Sequence, residues 1–185
     1  MTLKFIVQPV SAGWRDWKLS DLVYGVVVPT IVAFLIIGVS MITDPSLIGI
    51  KYALLQAIVI VGVPMLLGFI WNQWAGGACG FLLGSVYALY FNALYALVSA
   101  MLIGYIAGAL NKRSDNLLRM LIAGVTSGFM GALLVAVVNQ FTYILGEPSV
   151  GGIAIIFLPR VFAGVIVPII ARAFLRHGAK RSNSN

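Results

Sequence analysis

The sequence predicts an all-α integral membrane protein with six transmembrane helices and both termini in the cytoplasm. Hydrophobic residues make up 61% of the 185-residue chain and charged residues only 9%, whereas a soluble domain carries about 25% charged residues. The apolar residues form long runs separated by short polar turns. A chain of this size cannot keep so much apolar surface out of water by itself, so we expect the lipid bilayer to be its solvent.

The first two spans lie on either side of a turn. Span one covers residues 22–42 and contains Pro29, which we expect to kink the helix because its ring removes a backbone hydrogen bond. Residues 43–46 read Thr-Asp-Pro-Ser, which is typical of a turn. Span two covers residues 48–70 and is interrupted by Pro64.

Spans three and four form a tight helical hairpin over residues 75–90 and 93–110. The run from residue 75 carries no charge before Lys112 and is too long for a single crossing of about 20 residues. Glycines recur four residues apart on both arms, at Gly80 and Gly84 and at Gly104 and Gly108. This spacing places each pair on one helix face, where two backbones can approach closely.

Spans five and six cover residues 117–143 and 153–174. Gly124, Gly128 and Gly131 lie along span five. Residues 176–185 form a tail that is first basic and then rich in Ser and Asn. No polar stretch is long enough for a separate soluble domain, so residues 1–185 are expected to form one membrane domain.

The distribution of basic residues sets the expected orientation. With six spans, ten of the twelve Lys and Arg residues lie on the side of the termini, and only Lys51 and Arg160 lie on the other side. Cytoplasmic loops are enriched in Lys and Arg, so we expect a multi-pass protein of the plasma membrane with cytoplasmic termini. A single span over 75–110 would put the basic tail outside, against this rule.

Several classes of function are disfavoured by the composition. The net charge of +7 is explained by this topology, so we expect no nucleic-acid partner. Cys79 is the only cysteine and His177 the only histidine, so neither a disulfide nor a Cys/His metal site is expected. No Asp, Glu or His lies within a span, which argues against an enzyme, a cofactor and a carboxylate proton relay.

Arg160 is the most informative single residue. It follows Pro159 within an apolar run, twelve residues before Arg172, and a charged group inside a membrane is costly and therefore a candidate functional residue. The alternative is that the sixth helix begins at Pro159, since proline is favoured at the first helical position. Arg160 would then lie at the membrane interface.

Polar side chains are expected to meet Arg160 at the outer ends of the helices. The candidate ligand-binding residues are Asn92, Tyr95, Asn139, Tyr143 and Arg160. Such a set would suit a small, partly anionic ligand, with the loop between Thr43 and Lys51 as a lid. The alternative is an aromatic belt with hydrogen bonds between helices.

Three stretches carry a resemblance to a known family. They are residues 75–84 (AGGACGFLLG), 102–113 (LIGYIAGALNKR) and 158–164 (LPRVFAG). With the six spans, they make the chain resemble the substrate-binding S-component of energy-coupling factor (ECF) transporters. The resemblance covers about 40% of the chain and is a pattern of glycines and span lengths. The paired small residues by which some members dock in span one are absent here, since Ile37 follows Ala33 at that spacing.

The resemblance implies a non-catalytic subunit that binds a vitamin-like micronutrient from outside the cell. Its partners would be the lipid bilayer, other integral-membrane subunits, associated ATPases and the small-molecule ligand. The alternative is a non-catalytic structural or accessory subunit of a larger membrane complex. The absence of a decisive chemical motif and the small-residue helix faces favour that alternative.

Overall fold

The computed structural model describes residues 19–43, 50–91, 94–112, 114–142 and 150–182, which are helical apart from short turns. The elements are α1 (Leu19–Leu22), a π-helical turn (Val23–Val27), α2 (Val28–Thr43), α3 (Ile50–Ile70), α4 (Gln73–Phe91), α5 (Leu94–Asn111), α6 (Leu117–Thr142) and α7 (Val150–Ser182). Because α1, the π turn and α2 follow one another without a break, we call them together the first rod. The described residues thus form six helical rods, one for each expected span.

Three of these helices contain a segment that is long and apolar enough to cross a membrane. The segments are Leu94–Asn111, Leu117–Val138 and Ile156–Arg176. Shorter apolar helical segments lie at Val23–Leu35 in the first rod and Ile58–Ile70 in α3. The all-helical class predicted from the composition is therefore confirmed, and membrane association is supported.

The first rod contains a π turn where a proline kink was expected. Pro29 has no N–H to offer the carbonyl of Gly25, and the preceding turn is widened, with the Val28 amide donating to the Val23 carbonyl. The hydroxyl of Thr30 donates to the Val26 carbonyl at 2.6 Å. Gly25 lies against the ring of Trp71, 3.0 Å from where its Cβ would stand, so only glycine fits here without displacing the indole.

Helix α3 occupies the centre of the bundle. It packs on α4, α5 and α7, and the first rod packs mainly on α3 and α4. The main core lies where α3, α5, α6 and α7 meet, around Phe69, Ile103, Met120 and Val167. A second core joins the first rod to α3 and α4.

Helices α4 and α5 form the most extensive pair and cross backbone to backbone. A Cβ on Gly80 would overlap the carbonyl of Ala100, and one on Gly104 would overlap the backbone of Gly76. The close approach of backbones predicted from the glycine spacing is therefore confirmed, because the two main chains are in direct contact. Gly68 of α3 joins the same crossing against the Gly104 carbonyl.

Helices α6 and α7 also cross through glycines, beside a proline. Pro168 lies inside α7 and cannot donate to the Gly164 carbonyl four residues earlier. Gly124 of α6 packs directly on that carbonyl, where its Cα–H offers a weak replacement donor. Gly131, by contrast, faces Ile103 of α5, so the three glycines of α6 do not share one partner.

Large apolar side chains cover much of the outer surface. Leu89 is 86% exposed and Leu158 is 66% exposed, and exposed Leu, Ile, Val and Phe residues occur on every rod. Such a surface suits hydrocarbon rather than water. It agrees with the bilayer as solvent.

Candidate functional site

The bundle has two chemically different ends. The basic end holds the α3–α4 turn, the α5–α6 turn and the C-terminus of α7, because Gln73 of α4 packs on Gly108 of α5 and Arg119 of α6 bonds to Leu110 of α5. The opposite end, which we call the polar end, holds the end of α4, the start of α5 and the start of α7. The candidate ligand-binding residues were expected at the polar end.

Arg160 lies inside a helix and not at its beginning. Helix α7 begins at Val150 and includes Pro159 as an interior residue. The part of the alternative in which Pro159 opens the helix is therefore wrong. The turns before the proline extend the helix, and Arg160 lies ten residues after its start at Val150.

The Arg160 side chain runs back along its own helix towards the polar end. Its Nη1 donates to the Ile156 carbonyl at 2.8 Å, next to the turn that Pro159 disturbs by removing an N–H. Its Nε is buried and has no hydrogen-bond partner in the described structure. Leaving a buried donor unpaired costs about 1–3 kcal/mol, and more when the group is charged.

Two tyrosines face this arginine. Tyr95 of α5 and Tyr87 of α4 lie close enough to the Arg160 guanidinium to interact with it electrostatically. Tyr95 also packs on a small core formed by Ala132, Val135 and Ile156. Four helices, α4 to α7, thus contribute to the surroundings of one guanidinium.

The crossing of α6 and α7 fixes the backbone of Arg160. A Cβ on Gly128 would overlap the Arg160 carbonyl, so the absence of a side chain at Gly128 lets the two main chains touch at this point. We therefore expect the position of the Arg160 backbone to depend on the absence of a side chain at Gly128.

The structure describes two of the five predicted site residues with their side chains, Tyr95 and Arg160, and it brings them together. Asn139 lies in α6, where only its backbone is described. Asn92 and Tyr143 lie outside the described residues, as does the loop proposed as a lid between helices α2 and α3. Their place in a site stays a prediction.

The ligand-binding residues predicted from the sequence did not include Tyr87. The sequence contained a signal for it, because Tyr87 and Tyr95 lie on the two arms of the α4–α5 hairpin, close to the turn that joins them. Antiparallel arms bring such residues to the same level, as Gly84 beside Leu97 shows one turn away. We therefore add Tyr87 to the site.

The described part of this site can recognise an acceptor group. Arg160 offers a fixed positive charge and an unpaired Nε–H, and the tyrosine hydroxyls can donate or accept. A carboxylate or phosphate oxygen would satisfy the unpaired donor by a charge-assisted hydrogen bond. A nucleophile paired with a base is not found among the described residues of this end.

The sequence matches no protein-family model, and no curated protein and no solved structure is significantly similar to the chain.

Proposed function

We propose that this chain is a non-catalytic membrane protein that binds a small molecule, as the substrate-binding subunit of an uptake transporter in the plasma membrane. In this proposal the basic end faces the cytoplasm and the ligand enters at the polar end. The proposal keeps the resemblance to ECF S-components stated above, with a vitamin-like micronutrient as ligand and ATPase-bearing partners as the source of energy.

One observation carries the proposal. The Nε of Arg160 is buried at the polar end without a hydrogen-bond partner in the described structure, and two tyrosines face the same guanidinium. A charged group inside an apolar segment costs several kcal/mol unless it is paired. Such a cost is typical of a residue retained for a function, here the recognition of an anionic or strongly polar group.

A second candidate is an accessory subunit of a larger membrane complex. The observation that favours it is the direct main-chain packing at Gly76, Gly80 and Gly104, which fills the α4–α5 crossing with backbone. In this case Arg160 would only brace the turn that Pro159 disturbs, through its bond to Ile156.

Native mass spectrometry of protein gently extracted from its own membrane distinguishes the transporter subunit from the accessory subunit. The transporter proposal expects one small acidic molecule bound to the wild type and lost from Arg160→Gln. The Arg176→Gln variant removes an exposed charge at the other end and should keep the molecule. Stoichiometric membrane partners without any small molecule would favour the accessory subunit and contradict the first proposal.

A further inference from the structure

Helix α7 extends beyond the segment that can cross the membrane. The apolar run of α7 ends at Leu175, and mainly basic and polar residues follow it. The helix nevertheless continues to Ser182. The headgroup layer adds about 5–7 Å on each side, so the last turns of α7 lie at the depth of lipid headgroups.

Basic residues recur every fourth position along this end of α7. Arg172, Arg176 and Lys180 follow one another at this spacing, which places them on one face of the helix. Arg176 is exposed, whereas Arg172 is half-buried and its Nε is buried without a partner in the described structure. The face therefore runs from the edge of the hydrocarbon core into the headgroup layer.

The α5–α6 turn adds further positive charge beside this face. Gly124 packs on Gly164, and Gly128 packs on Arg160. Continuing this antiparallel register brings the start of α6 level with Arg172. Lys112 and Arg119 are both exposed there, and Asp115 is the one acidic residue of the turn.

Exposed apolar side chains lie next to these cations. Phe174 is 61% exposed and Leu118 is 67% exposed. A surface that offers positive charge at headgroup depth and apolar side chains directly beside it matches an anionic lipid, whose phosphate and acyl chains are joined in one molecule. An acidic soluble protein would pair with the charges but would leave the apolar side chains uncovered.

We propose that Lys112, Arg119, Arg172 and Arg176 form a binding surface for the phosphate groups of anionic phospholipids. We call these four residues the basic patch. Its ligand is the lipid of the leaflet that surrounds the basic end. The proposal does not depend on the ligand of the polar end.

The test compares lipid retention by native mass spectrometry from nanodiscs that contain equal parts phosphatidylglycerol and phosphatidylcholine. The wild type is expected to retain phosphatidylglycerol preferentially. Each basic residue contributes about fivefold to the binding of anionic lipid. The double variant Arg119→Gln/Arg176→Gln should therefore lose about 25-fold of this preference, while Arg119→Lys/Arg176→Lys should keep it.

The remaining outcomes overturn the proposal. Equal retention of both lipids by the wild type, or an unchanged preference in the double glutamine variant, would show that the patch does not bind anionic lipid. Displacement of the lipid by equimolar inorganic phosphate would indicate a site for the free ion. An acidic protein that co-purifies with the wild type and dissociates from the glutamine variant, without any lipid preference, would identify the patch as a protein interface.

Discussion

The α4–α5 crossing and the α6–α7 crossing are both lined by glycines, but they differ in the other residues at the contact. Between α4 and α5, glycines bring main chains together at Gly76, Gly80, Gly84 and Gly104, and the contact is built from backbone and small residues. Between α6 and α7, the contact includes the Arg160 carbonyl and the ring of Pro168, and Pro159 precedes Arg160 in α7.

This difference separates packing from function. At its described contacts, the α4–α5 crossing consists of backbone and small residues. The α6–α7 crossing holds two residues that weaken a helix and one buried charge, all of which cost stability. Natural proteins depart from favourable packing mainly at functional sites, and for this reason the proposed ligand site is assigned to the α6–α7 crossing.

The largest expected effect tests the α4–α5 crossing, which we call the first crossing. Gly76→Ala should destabilise the protein by about 3 kcal/mol or more, because the new Cβ would meet the Gly68 backbone at 2.8 Å and overlap the Gly104 carbonyl. The neighbouring Gly77→Ala is the matched control, since its Cβ would lie 3.5 Å from Tyr105. Removing a glycine there should stabilise the helix by about 0.5–1 kcal/mol. Thermal unfolding in detergent measures both, and equal effects would disprove the backbone contact.

The second prediction tests whether the α6–α7 crossing positions the arginine. Gly128→Ala should displace the Arg160 backbone, because the Cβ would overlap its carbonyl. We expect ligand affinity to fall at least tenfold, equal to about 1.4 kcal/mol, measured by retention of the bound molecule. Gly131→Ala on the same helix meets the side chain of Ile103 of α5 and should leave affinity unchanged. Equal affinity in the two variants would show that the α6–α7 crossing does not position Arg160 for ligand binding.

The smallest expected effect concerns an unpaired amide near the first crossing. Asn111 ends α5, is 0% exposed, and neither side-chain atom has a partner in the described structure. Asn111→Leu should raise the free energy of unfolding by about 1 kcal/mol, the low end of the cost of an unpaired buried polar group, and ligand binding should not change. Asn116 provides the control because its Oδ1 accepts from the Leu118 amide at 3.0 Å. Asn116→Leu should lose about 1 kcal/mol of capping.

A loss of ligand binding in Asn111→Leu would break the comparison. It would show that an unpaired polar group marks function at the first crossing as well.

Much of this fold could be predicted from the sequence because charges are scarce and turns are marked. The expected hairpin arms at 75–90 and 93–110 match α4 (Gln73–Phe91) and α5 (Leu94–Asn111) closely. The glycine spacing alone predicted their close approach. These features are local, so neighbouring helices were not needed to find them.

The structure differs from the sequence-based predictions where contacts between distant residues, or the length of a helix, determine the local structure. The tail was expected to begin at Arg176, yet α7 continues to Ser182, because a membrane limits the apolar run but not the helix. The π turn precedes Pro29, which has no N–H for the Gly25 carbonyl, and Gly25 also contacts Trp71, a residue far away in sequence. Asn111 lies just beyond the expected span of residues 93–110, and its complete burial arises from the packing of α5 in the bundle.

The residue types of the candidate site could be predicted from the sequence, but which of them lie close together could be predicted only in part. Arg160 and Tyr95 were chosen because polar groups are rare in apolar spans, and the structure brings these two together. That Arg160 lies inside α7 required the helix to begin at Val150. The sequence left this open because Pro159 is equally compatible with a helix start.

The substitution Arg160→Met tests the central claim most directly, when ligand retention and thermal unfolding are measured on the same preparation. If Arg160 serves a ligand, replacing a buried charge by an apolar side chain of similar length should leave stability unchanged or higher and abolish ligand binding. If Arg160 only braces the turn at Pro159 through the Ile156 carbonyl, the variant should unfold more easily while any bound molecule is retained. That second result would contradict the account.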